Sequence, residues 1–241
     1  MKNRFYPYLI SLFSYLLISC FPWSLIIKND IYLLISLQIL FQGLFLIGIS
    51  IYVIHNKNLV HKEKRISLYF LLPLFLICFS NYIYPLCIKN SYLNSFSLYS
   101  YLRITLCLFL VINEEIVFRY LGFKFFENQY PLARIIYTSL IFGLSHLSIY
   151  LSTFNPMDLL IILYTFGLGL VLGFIYEYHG NIILPISLHL LFNIFNDVIF
   201  TSLFIVEYYH IVIFISITIS ILIGGYILFL YLKFLRISKI H

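Results

Sequence analysis

Apolar side chains fill eight long runs of the chain, approximately residues 5–27, 31–54, 66–87, 97–118, 135–154, 159–176, 182–204 and 211–232, with short polar punctuation between them. A helix of about 20 apolar residues matches the hydrocarbon core of a bilayer and satisfies its own backbone polar groups there. The chain is therefore expected to be all-α: a polytopic membrane helical bundle of about eight transmembrane helices. Of its 241 residues 62% are apolar and only 10% are charged, which excludes an ordinary soluble domain and an intrinsically disordered chain. The connections are too short to hold a separate soluble domain, so residues 1–241 are expected to form a single integral membrane domain.

The net charge of +6 does not indicate nucleic acid, because the cations sit in short runs beside apolar segments. With the N-terminus inside, the inner segments hold eleven cations: Lys2, Arg4, Lys57, Lys62, Lys64, Arg65, Lys124, Arg134, Lys233, Arg236 and Lys239. The outer loops hold Lys28 and Lys89, so both termini are expected to be cytoplasmic. Leu17-Ile18-Ser19-Cys20 resembles a lipoprotein processing box, but residues 21–27 continue largely apolar, and an uncleaved first helix is expected. Cys20, Cys78, Cys87 and Cys107 lie in or beside apolar runs without C-x-x-C spacing and read as small core residues.

A charge in hydrocarbon is costly, so ionisable residues within spans face a bundle interior and often mark function. Arg103, Glu114, Glu115, Arg119 and Asp197 lie in or at the ends of the runs, as do His146 and His189, with Asn193 one turn beyond His189. At about 1.5 Å per residue, Glu114 falls roughly 15 Å, His146 roughly 18 Å, His189 about 12 Å and Asn193 about 18 Å from the cytoplasmic ends of their helices. Three segments thus deliver polar groups to a similar depth. In an α-helix Glu115 and Arg119 share a face, whereas Glu114 lies about 140° away from Arg119. Glu115 is accordingly expected to pair with Arg119, leaving Glu114 to point at a water. His189 and Asn193 share a face, as do Phe142 and His146. Arg103 is expected either to pair with Asp197 or to snorkel to the outer interface, and His55, His61, His179, His210 and His241 to lie in loops or at the terminus.

Glu114-Glu115-Ile116-Val117-Phe118-Arg119 fits EExxxR, Phe142-Gly143-Leu144-Ser145-His146 fits FxxxH, and His189-Leu190-Leu191-Phe192-Asn193 fits HxxxN. In this order, on separate apolar segments, the motifs resemble the CPBP family of intramembrane proteases, which includes type II CAAX prenyl endopeptidases and bacteriocin-processing or immunity proteins. The family-like catalytic core covers approximately residues 105–200, and Tyr120 departs from the pattern, since many members have glycine directly after the arginine. The resemblance implies an endopeptidase in which Glu114 activates water with help from His146, while His189 and Asn193 stabilise the oxyanion. Glu115 and Arg119 would then hold the helix end, with Phe142 packed beside the site. This division agrees with the residue chemistry, since a carboxylate can take a proton from water and donors aimed at an oxyanion lower the barrier.

No cofactor is expected; a zinc ion held by the two histidines and the glutamate is the alternative, although no H-E-x-x-H sequence is present. The expected partners are the lipid bilayer and a membrane-associated protein or peptide substrate, in a multi-pass protein of a bacterial cell membrane. Two other functions fit the same residues. A proton-coupled transporter also places Glu and His in the membrane, but often shows internal repeats, which this sequence lacks. A non-catalytic immunity or partner-binding protein would use the fold without the reaction.

Overall fold

The computed structural model describes residues 2–27, 29–55, 97–154 and 159–194, with scattered positions between 218 and 233. Among the described residues the regular structure is entirely helical. Three stretches are long and apolar enough to cross a membrane: Ile31–His55, Pro131–Leu151 and Ile161–His179. Tyr6–Ser19 and Ile183–Ile194 are shorter apolar helices. The run at 66–87 and most of that at 211–232 fall outside the described residues. So do Cys78, Cys87, Asp197, His61, His210 and His241, and with Asp197 the expected partner of Arg103.

The described helices fall into two compact units. The first contains α1 (Lys2–Ser19), α2 (Trp23–Ile26), α3 (Ile31–His55), α4 (Leu98–Glu114), a π-helical segment (Glu115–Leu121), α5 (Gly122–Phe125) and α9 (Ile183–Ile194). The second contains α6 (Pro131–Ser145), α7 (Leu147–Thr153) and α8 (Leu159–His179).

In the first unit the run at 5–27 is not one helix. It breaks at residues 20–22, and Pro22, which has no N–H to donate to a helical ladder, precedes the short α2. Trp23 Nε1 donates to the Ile18 carbonyl at 3.2 Å across the break. Asp30 starts α3 by accepting from the N–H groups of Tyr32 and Leu33, both at 3.0 Å. Ser97 and Ser100 start α4 with a reciprocal cap, each side chain accepting from the other's backbone N–H at 3.4 Å.

Helix α3 is apolar nearly all round, so its inward face is not evident from hydropathy. Its buried residues are Ile35, Gln42 and Ile49, seven apart and therefore one seam, while Leu40, Leu44, Ile47, Ile51 and Ile54 are exposed. Helix α1 has a matching seam in Tyr8 and Tyr15, again seven apart and both buried.

In the second unit Pro131 occupies the first turn of α6, where its missing N–H leaves no helical bond unmade. The helix stops at His146, whose φ of −86° and ψ of 0° interrupt the run expected to be continuous over 135–154. These angles lie in a sparsely allowed backbone region that recurs at functional residues. Helix α8 ends at Gly180, whose φ of 75° is the left-handed conformation glycine adopts without strain, and whose N–H donates to the Tyr176 carbonyl at 2.9 Å.

Small residues let α6 and α8 approach closely. A Cβ placed on Gly143 would lie 3.0 Å from the Ile162 carbonyl oxygen, and one on Gly169 would lie 3.0 Å from Ser139 Cβ. Thr138 and Ser139 return their hydroxyl protons to carbonyls of their own helix, at Arg134 (2.9 Å) and Ile135 (2.6 Å) respectively. Arg134 grips Glu177 with two donors, Nε to Oε2 at 3.2 Å and Nη2 to Oε1 at 2.6 Å.

Candidate active site

The first unit gathers Glu114, Glu115, Arg119 and His189. Glu114 is the last residue of α4, and the π-helical segment begins at Glu115. The Gly122 N–H reaches back to the Val117 carbonyl, five residues earlier, which widens the turn relative to an α-helix. Roughly one extra residue per turn brings positions five apart nearer to one side. Arg119 consequently interacts electrostatically with both Glu115 and Glu114, and not with Glu115 alone. The closer partner is Glu115, with Arg119 Nε 3.3 Å from its Oε2 and both side chains fully buried.

His189 reaches this pair from α9. Its Nδ1 lies 2.9 Å from Glu115 Oε1, and its Nε2 lies 3.5 Å from Glu114 Oε2. Because Glu115 faces the Arg119 guanidinium, its carboxylate accepts and His189 Nδ1–H donates. That assignment turns Nε2 toward Glu114. The imidazole therefore lies between the two glutamates.

Glu114 is held from its other side as well. Tyr15, on α1, donates its hydroxyl proton to Glu114 Oε1. Its ring packs edge-on against Phe118 in the π-helical segment, with centroids 5.7 Å apart. Tyr8, one seam position earlier, stacks on Phe125 at 4.9 Å and interacts with Arg119. Behind this row, Asn113 Nδ2 donates to Gln42 Oε1 at 2.8 Å and to the Gln42 carbonyl at 3.0 Å. Gln42 Nε2 donates to Ser19 Oγ at 3.0 Å.

The two adjacent carboxylates differ in access. Glu114 is 8% exposed, whereas Glu115 is fully buried. The expectation that Glu115 takes Arg119 agrees with these contacts, but Glu114 is not left with water alone, since Tyr15 and His189 flank it. Asn193 lies one turn beyond His189 on α9 and is half-buried.

Phe142 and His146 belong to the second unit. His146 Nδ1 lies 3.0 Å from the Phe142 carbonyl oxygen and 3.3 Å from Ser145 Oγ. Ser145 itself donates to the Phe142 carbonyl at 2.6 Å. A carbonyl only accepts, so Nδ1 carries the proton and the neutral ring presents Nε2 as an acceptor. The Phe142 ring stands edge-on to the imidazole, with centroids 5.2 Å apart, and limits its rotation.

Among the described residues no three His, Cys, Asp or Glu side chains group as a metal-binding set. Tyr15, Gln42 and Asn113 were not singled out by motif or charge. The polar character of Gln42 and Asn113 inside apolar runs was the available signal.

Fold and site together define an all-helical protein with membrane-length apolar helices and a buried carboxylate–histidine cluster. Residues 96–195 match the family model described as type II CAAX prenyl endopeptidase Rce1-like, a segment that takes in all three motifs. Over that segment the chain is similar to CAAX protease-like membrane hydrolases. No curated protein and no solved structure matches the chain significantly.

Proposed function

We propose that the protein is an intramembrane endopeptidase in which Glu114 is the general base that activates water against a peptide bond of a membrane-associated protein or peptide. The observation that carries this reading is the contrast between two neighbouring glutamates. Glu115 is sealed between Arg119 and His189, while Glu114 keeps partial access and has Nε2 of His189 beside it. A base must reach the proton it removes, and Glu114 is the carboxylate of the pair that meets this condition.

In the proposed reaction the water oxygen attacks the carbonyl carbon as a water proton passes to Glu114. His146, whose Nδ1 is fixed on the Phe142 carbonyl, is assigned the orientation of that water by its place in the FxxxH motif. Asn193 donates to the oxyanion of the tetrahedral intermediate, and so does His189 in its doubly protonated form, whose Nδ1–H stays on Glu115 while Nε2–H is the donor. The intermediate collapses as the C–N bond breaks, and the proton held by Glu114 goes to the leaving nitrogen. Glu115 and Arg119 act through His189 by fixing its ring. No metal takes part in the proposed steps.

The matched model's name refers to prenylated CAAX proteins. For a bacterial cell membrane protein with cytoplasmic termini, a peptide precursor or another membrane protein is the substrate class proposed here. Comparative peptidomics of cells carrying the wild-type protein or Glu114→Ala tests the reading. Precursor accumulation and product loss, with the variant inserted at wild-type abundance, support it; an unchanged peptide pool points to a non-catalytic binding role.

A further inference from the structure

We infer that Tyr15, on the first helix and outside the segment matched by the family model, is a positioning residue that orients the carboxylate of Glu114 through its hydroxyl. This inference rests on the reading of Glu114 as the base. Three observations support it within the first unit.

The first is the direct bond from the Tyr15 hydroxyl to Glu114 Oε1, which fixes one oxygen while His189 Nε2 faces the other. A carboxylate on a terminal rotatable bond is held in one plane when both of its oxygens have partners on different helices. The second is that Tyr15 is itself held. It is buried, and its ring meets Phe118 at 5.7 Å and Phe45 at 6.2 Å.

The third is a polar row on the neighbouring helices. Asn113, the chain neighbour of Glu114, donates to Gln42 on α3, and Gln42 donates to Ser19 on α1, one turn beyond Tyr15. The row ties α1 and α3 to the end of α4, where the π-helical segment starts, and so holds the helix that carries Tyr15 against the one that carries Glu114. A tyrosine serving only as packing would not need the hydroxyl.

The test uses the full-length protein in lipid and removes the hydroxyl while keeping the ring. The infrared difference between wild type and Glu114→Gln isolates the carboxyl band of Glu114, which needs no substrate. In Tyr15→Phe that band is expected to shift, with thermal stability near that of the wild type. Ser19→Ala, which leaves the Tyr15 hydroxyl in place, is expected to leave the band unshifted. With the peptide that peptidomics identifies as substrate, Tyr15→Phe is expected to lower kcat about tenfold and leave KM unchanged, the factor that one hydrogen bond is worth.

An unshifted Glu114 band, or wild-type kcat in Tyr15→Phe, overturns the inference. If Tyr15→Phe fails to fold, 3-fluorotyrosine at position 15, which keeps the ring and strengthens the donor, decides in the same way, an unshifted band overturning the inference. Retained proteolysis in Glu114→Ala would instead remove the proposed function, while the band shift would still report whether Tyr15 orients that carboxylate.

Discussion

His189 and Glu115, 74 residues apart in the chain, meet at 2.9 Å through Nδ1 and Oε1, and the same carboxylate lies 3.3 Å from Arg119 Nε through its other oxygen. One buried glutamate thus anchors α9 to the π-helical segment and compensates a buried guanidinium. Removing one member of a buried charged set leaves the others unpaired, which costs about 3–5 kcal/mol. Glu115→Ala is expected to lower the thermal midpoint in detergent strongly. Glu115→Gln, which keeps an acceptor for His189 but not the charge for Arg119, is expected to fall between Ala and wild type. Equal midpoints for all three proteins would remove this anchor from the account.

In the second unit, Arg134 and Glu177 join α6 to the end of α8 through two nearly parallel donors. A lysine ammonium cannot reproduce that planar fork. Arg134→Lys is expected to lose about 1–3 kcal/mol of stability, less than Arg134→Ala. A double-mutant cycle of Arg134→Ala with Glu177→Ala checks the pairing, and purely additive losses would contradict it.

The close packing of α6 on α8 depends on Gly143 and Gly169. The atoms that a new methyl group would meet include backbone, the Ile162 carbonyl oxygen in one case and Ser139 Cα at 3.1 Å in the other. Backbone yields less readily than a side-chain tip, so Gly143→Ala and Gly169→Ala are each expected to destabilise by about 1–3 kcal/mol. Thermal unfolding in detergent measures this, and unchanged midpoints would show that the helices have room to part.

Much of the helical architecture was legible because bilayer-length apolar runs leave few alternatives to a helix. The Glu115–Arg119 pair was legible because a four-residue spacing serves both the α-helix and the wider turn found there. The electrostatic interaction of Glu114 with Arg119 was not, since the angular estimate assumed α-helical geometry and nothing in Glu115–Leu121 announces a π-helix. Tyr15 was hidden by abundance, as one of 22 tyrosines that are mostly interchangeable by composition. Gln42 is one of two glutamines in a largely apolar helix, but its partner Asn113 lies 71 residues away, and a pairing of that span has no local signature. The break at His146 was missed because the residues on both sides are largely apolar and read as one continuous run.

Metal dependence has a direct check. Elemental analysis of purified active protein, before and after chelator treatment, is expected to find full activity without stoichiometric metal. Loss of activity on chelation, restored by zinc, would replace the metal-free mechanism.

The central claim is that Glu114 activates the attacking water. The most direct measurement follows hydrolysis of the peptide identified by peptidomics, in water enriched in oxygen-18, by purified wild-type protein and Glu114→Gln. The wild type is expected to place one labelled oxygen in the new carboxyl group, and a folded Glu114→Gln to yield no product. Turnover by Glu114→Gln at the wild-type rate would contradict the account.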